Sequence, residues 1–123
     1  MKPLEQYKKF PPSRYMGSKN KIIKNLYEVF SQIDFSSTLD LFSGSSAVSY
    51  LLKSMGKKVI SNDYMFFSSN ISKSIIENSS VKLTNLDINQ LLKVPKNYDK
   101  FVQQKFKGIF FSKNENDFID IVR

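Results

Sequence analysis

Between residues 38 and 78 the chain runs twice through the same order: a short apolar run, a turn of small or acidic residues, then apolar residues every three or four positions. Few folds accept that order. Thr38-Leu39-Asp40-Leu41-Phe42 is apolar with one acid at its centre, and reads as a buried strand. Ser43-Gly44-Ser45 breaks it. Ala47, Val48, Leu51, Leu52 and Met55 follow at helical spacing, and Gly56 supplies the residue that ends a helix with positive φ. Val59-Ile60-Ser61 is a second strand, closed by Asn62-Asp63. Phe66, Phe67, Ile71, Ile75 and Ile76 predict a helix over 65–78. Two short strands separated by a helix pair in parallel, so the expected class is α/β with a doubly wound, incomplete sheet.

The flanks are less regular. Residues 1–14 are polar and interrupted by Pro3, Pro11 and Pro12, and read as an extended N-terminal arm. Ile22, Ile23, Leu26, Val29, Phe30 and Ile33 define one face of a helix that Ser18 is placed to cap. After residue 79 the pattern weakens. Short helices are expected over 87–93 and 100–107, with Gly108 ending the second. A last amphipathic stretch runs from Asn114, its expected cap, to Arg123 without Gly or Pro to stop it. Serine is frequent but scattered, and no internal repeat is present.

Composition excludes several chemistries. The 123 residues contain no cysteine and no histidine, which removes disulfides, thiolate nucleophiles, Ser-His-Asp catalysis and His- or Cys-ligated metals. The net charge of +8 is uneven: +5 over residues 1–33, zero over 34–92 and +3 over 93–123. Two basic flanks suit a polyanion such as DNA. Seventeen lysines against two arginines is also the usage of an AT-rich genome, so charge does not decide the partner alone. No stretch approaches the roughly 20 apolar residues of a membrane span, and no signal peptide is evident. A cytoplasmic protein without membrane contact is expected.

Three segments hold residues suited to ligand chemistry. In Asp40-Leu41-Phe42-Ser43-Gly44-Ser45-Ser46, a glycine between strand and helix lets a ligand approach the backbone, or merely permits a tight turn. Asp63, 23 residues after Asp40, can hold vicinal ribose hydroxyls or cap the next helix. Acids on successive strands with a glycine between them point to an adenosine-containing ligand. Arg14-Tyr15-Met16-Gly17-Ser18-Lys19 sets a lysine at a helix start, where a carboxylate or phosphate binds, or where a lysine is simply solvated.

Together, in this order and at these spacings, the three segments resemble the N-terminal half of the Dam-type adenine-N6 DNA methyltransferases. That family carries an aromatic-x-Gly-Gly-Lys motif, an acid-x-Phe-x-Gly-x-Gly motif and a strand ending in Asn-Asp. The stretch Gly108-Ile109-Phe110-Phe111-Ser112-Lys113-Asn114-Glu115-Asn116-Asp117-Phe118 resembles a family segment that precedes the target-recognition region. The resemblance implies a partial Rossmann-like fold over 15–123, S-adenosylmethionine as cofactor and DNA as partner. It implies that Tyr15, Met16 and Gly17 border the cofactor and that Lys19 pairs with its carboxylate. It places Asp40 near the amino-acid moiety, Phe42 and Gly44 on the pocket floor, Asp63 on the ribose and Tyr64 on the adenine.

The chain departs from the family pattern in three places. Ser18 and Ser46 stand where the family has glycine, and the side chain of Ser46 either crowds the cofactor or caps the helix. The Asp/Asn-Pro-Pro-Tyr/Phe segment, which in the family holds and stacks on a flipped adenine, is missing. Pro11-Pro12, between Phe10 and Ser13, reads as a rigid turn. The sequence thus carries no catalytic residue, and the chain alone is expected to be inactive. It would be a piece of a longer enzyme of a restriction-modification system, a truncated product, or one of two polypeptides of which the second supplies the Pro-Pro segment. The rival from another class is a non-enzymatic nucleic-acid-binding or subunit module on an α/β scaffold.

Overall fold

A computed structural model describes residues 2–122, and the chain divides after Ser80 into two compact units. In the first, a short helix α1 (Pro3–Tyr7) is followed by an extended stretch, a 3-10 turn (Lys19–Ile22) and α2 (Ile23–Ser31). Then come β1 (Ser37–Asp40), α3 (Ala47–Ser54), β2 (Lys58–Ser61), α4 (Phe66–Ser72) and a single π turn (Lys73–Glu77). The strands pair in parallel, Leu39 beside Ile60 and Asp40 beside Ser61. Backbone pairing continues past their ends: Asn62 N–H donates to Asp40 O at 2.8 Å and Ser43 N–H to Asn62 O at 2.9 Å. The glycine turn after β1 is therefore held beside the acidic turn after β2.

Alternation along the strands sorts residues between faces. Asp40 and Ser61 share the face against α3, which reaches both through Ser49. Leu39, Leu41 and Ile60 are exposed. The core lies on the helical side: Ile23, Ala47 and Leu51 are buried, with Leu4, Tyr7, Phe10, Leu26, Tyr27, Phe30 and Met55 around them.

The arm is extended only in part. Leu4 and Tyr7 dock on the core, so the segment coils into α1 to present them on one side. Tyr7 stacks on Phe10 with centroids 5.4 Å apart, and both rings meet Tyr50 of α3. Ser18 is not a side-chain cap; its hydroxyl is 3.1 Å from that of Ser45.

In the second unit, α5 (Asn85–Leu91), α6 (Phe101–Lys105) and α7 (Lys113–Val122) are fastened by side-chain caps. Thr84 and Asp87 form a reciprocal capping box at the start of α5. Ser112 and Glu115 exchange the equivalent bonds ahead of α7, replacing Asn114 as the expected cap. Both carboxylate oxygens of Asp120 accept backbone N–H groups at the start of α6, from Val102 at 2.8 Å and Gln103 at 2.9 Å. The expected end of the last helix at Arg123 lies outside the described residues. No helix among the described residues is long and apolar enough to cross a membrane.

Candidate functional site

The carboxyl ends of adjacent parallel strands are where α/β sheets place ligands. Here the end of β1 delivers Asp40, the turn into α3 delivers Phe42 and Gly44, the turn after β2 delivers Asp63, the segment before the 3-10 turn delivers Tyr15 and Gly17, and the 3-10 turn itself begins with Lys19. These seven residues line one cleft of about 400 Å³. All seven belong to the three segments whose motifs point to ligand chemistry in the sequence.

Gly44 has a φ of +51°, and a β-carbon there would stand 3.2 Å from Cε1 of Tyr15. Any side chain would push the ring away and narrow the cleft. The Tyr15 hydroxyl is held 3.0 Å from that of buried Ser68, which fixes the ring over the glycine turn.

Asp63 uses one oxygen on each side of the turn. Oδ1 accepts from Met65 N–H at 3.0 Å and Oδ2 from Gly44 N–H at 2.8 Å. The Met65 and Gly44 amides hold its carboxyl below the usual aspartate range. Each oxygen keeps a second lone pair, so the carboxylate can still accept from a diol. Asp40 is bound differently, through Oδ2 alone, which accepts from Ser49 Oγ at 2.6 Å. Lys19 is exposed and its Nζ donates to Gly17 O at 3.2 Å, a contact an incoming carboxylate can replace.

Two predicted residues stay out of the cleft. Met16 is 94% exposed and borders a separate apolar groove of about 560 Å³ with Arg14, Tyr15, Met65 and Phe67. Tyr64 is 98% exposed, because the turn closed by Asp63 and Met65 leaves its side chain outside.

A serine cluster was missed. Ser72 Oγ lies 2.6 Å from Ser46 Oγ, 3.1 Å from Ser43 Oγ and 3.2 Å from Ser61 Oγ, and Ser61 lies 2.8 Å from Ser49. Ser43, Ser46, Ser49 and Ser72 are buried. The signal was available in the three-residue spacing of Ser43, Ser46 and Ser49 across a glycine turn and the following helix.

The cluster also decides what Ser46 does. It occupies the left-handed region at φ +61°, the conformation that favours glycine. It makes no cap bond, and its side chain is fully buried toward Ser72 rather than lining the cleft. It neither crowds the cleft nor caps α3. Among the described residues no group of acids is placed to hold a metal ion.

Residues 15–123 match the sequence profile of the D12 class N6 adenine-specific DNA methyltransferases. The chain is 29% identical over 115 residues to the Type II methyltransferase M2.HphI of Haemophilus parahaemolyticus. The aligned region is 94% of this chain and 34% of that enzyme, so the chain spans about a third of its relative's length. No solved structure matches. With the profile covering all but the first 14 residues, the chain belongs to the D12 class of N6 adenine-specific DNA methyltransferases.

Proposed function

We propose that this chain is the S-adenosylmethionine-binding part of a site-specific adenine-N6 DNA methyltransferase in a restriction-modification system, built on the first strands of a Rossmann-like sheet. One observation carries the reading. Residues from three separated segments converge on one cleft, lined by one cation, Lys19, and two carboxylates, Asp40 and Asp63.

The residues fit the cofactor's chemistry. Lys19 offers a cation to the amino acid's carboxylate, Asp40 an acceptor to its ammonium, and Asp63 an acceptor pair to the ribose hydroxyls. The bare backbone of Gly44 lets the fixed Tyr15 ring close over the turn, where both line the cleft. Phe42, 85% exposed beside the cleft, offers an apolar surface to the chain of atoms around the sulfonium. When bound, S-adenosylmethionine supplies an electrophilic methyl group. Orienting it is the work of Lys19, Asp40 and Asp63. Holding and activating the target adenine falls to residues outside this chain, so the chain alone is inactive.

The missing Pro-Pro segment would come from the rest of a longer enzyme or from a second polypeptide. The exposed Leu39, Leu41 and Ile60 form the sheet face such a partner would cover. The basic flanks would add affinity for DNA. The test is binding of labelled S-adenosylmethionine to the purified chain. Saturable binding displaced by S-adenosylhomocysteine but not by ATP is expected. Salt-sensitive retention on DNA with no cofactor binding would return the non-enzymatic reading.

A further inference from the structure

We propose that Ser49 is a positioning residue for this site: it fixes the carboxylate of Asp40 in the orientation that receives the ammonium of the cofactor's amino-acid moiety. The inference rests on the S-adenosylmethionine reading above.

The two acids of the cleft are oriented by different means. Asp63 accepts two backbone N–H groups, so the fold itself sets its direction. Asp40 accepts none. Its partner is Ser49, whose Oγ donates to Oδ2 at 2.6 Å, a short charge-assisted bond. Ser49 has one proton, and that proton is committed to Asp40. Ser61 lies 2.8 Å from Ser49 and its own hydroxyl donates to Ser72 at 3.2 Å, so Ser49 is held between Asp40 and the serine cluster. Ser61 is the register partner of Asp40 on β2, so the two hydroxyls lie in line on the face covered by α3.

The location argues for use. Ser49 is 0% exposed in the interior of α3, where alanine is the better helix former. A buried hydroxyl costs stability unless it is hydrogen-bonded, and this one is directed at a cleft carboxylate. With Oδ2 tied to Ser49, Oδ1 has no protein partner among the described residues. A carboxylate held by one oxygen with the other free presents a single acceptor in a set direction. That suits an ammonium, whereas a diol needs both oxygens.

The test separates positioning from simple stability. S49A, S61A and D63A are compared with the unmodified chain by calorimetry, using S-adenosylmethionine and 5′-methylthioadenosine. The second ligand keeps the nucleoside but lacks the ammonium and carboxylate. The expected result is an S-adenosylmethionine affinity lower by about tenfold in S49A and by about two- to threefold in S61A. Affinity for 5′-methylthioadenosine stays within twofold in both. S61A leaves the Ser49–Asp40 bond intact and carries the comparison if circular dichroism shows S49A unfolded. Equal losses for both ligands, or no loss for either, overturn the positioning role. If the unmodified chain binds neither ligand, or D63A binds as well as it does, the cofactor reading itself fails.

Discussion

Replacing Ser46 tests the reading of the glycine turn, because alanine and glycine should change stability in the order opposite to their usual one. Both variants lose the 2.6 Å hydroxyl contact with Ser72, a loss of about 0.5–1.5 kcal/mol. Ser72 keeps Ser43 and Ser61 as partners in either variant, so the loss is nearly common to the two. They differ in backbone strain. At φ +61° a residue with a β-carbon carries about 1–2 kcal/mol that glycine does not. Glycine also leaves the unfolded chain freer, which removes roughly 0.5–1 kcal/mol of that advantage. S46A is therefore expected to be destabilised by about 0.5–1.5 kcal/mol relative to the natural chain, and S46G to be more stable than S46A by roughly 0.5–1 kcal/mol. In an ordinary helical or extended position glycine is the worse of the two. Urea unfolding followed by circular dichroism measures both, with unchanged slopes required for the comparison. S46A equal to or more stable than S46G would refute the strain argument. Because the Ser46 side chain is buried away from the cleft, S46G should bind S-adenosylmethionine within twofold of the unmodified chain.

Three further outcomes are expected. Burial pushes the Tyr7 hydroxyl up to about 12 from an ordinary value near 10, so its contribution to stability is fully present below pH 10 and disappears as pH rises through 12; comparing alkaline unfolding of Y7F with the natural chain checks this, and identical curves would contradict it. Lys53 Nζ donates to the carbonyls of Ile75, Ile76 and Asn78 at 2.7–2.9 Å, closing the π turn, so K53M should cost about 1–3 kcal/mol in urea unfolding. Removing the Thr84 hydroxyl breaks the capping box of α5, and T84A should lose about 1 kcal/mol of local stability, read as faster amide exchange confined to residues 85–91.

What could be read from the sequence follows from which interactions are local. The strands around Asp40 and Ser61 and helix α3 were legible because their apolar residues keep a strict period and glycines mark the ends. The seven cleft residues were legible because strand ends and turn residues sit in fixed order along a βαβ unit. Ser72 was not: a serine in a helix looks the same whether it faces solvent or gathers three hydroxyls, two from the glycine turn and one from β2. The docking of α1 depends on Tyr7 meeting Phe10 and Tyr50, a tertiary contact that prolines at residues 11 and 12 concealed. Position in a motif fixes where the backbone runs but not where a side chain points, so it did not show that Met16 and Tyr64 lie outside the cleft.

Lys19, Asp40 and Asp63 are proposed to form a cofactor cleft that is preorganised in this chain. Calorimetric titration of S-adenosylmethionine into the purified 123-residue chain, with D63A alongside, tests it most directly. The expected result is saturable one-site binding that weakens tenfold or more when the carboxylate at Asp63 is removed. A chain that circular dichroism shows to be folded and that takes up no S-adenosylmethionine, or takes it up equally well without that carboxylate, would contradict it.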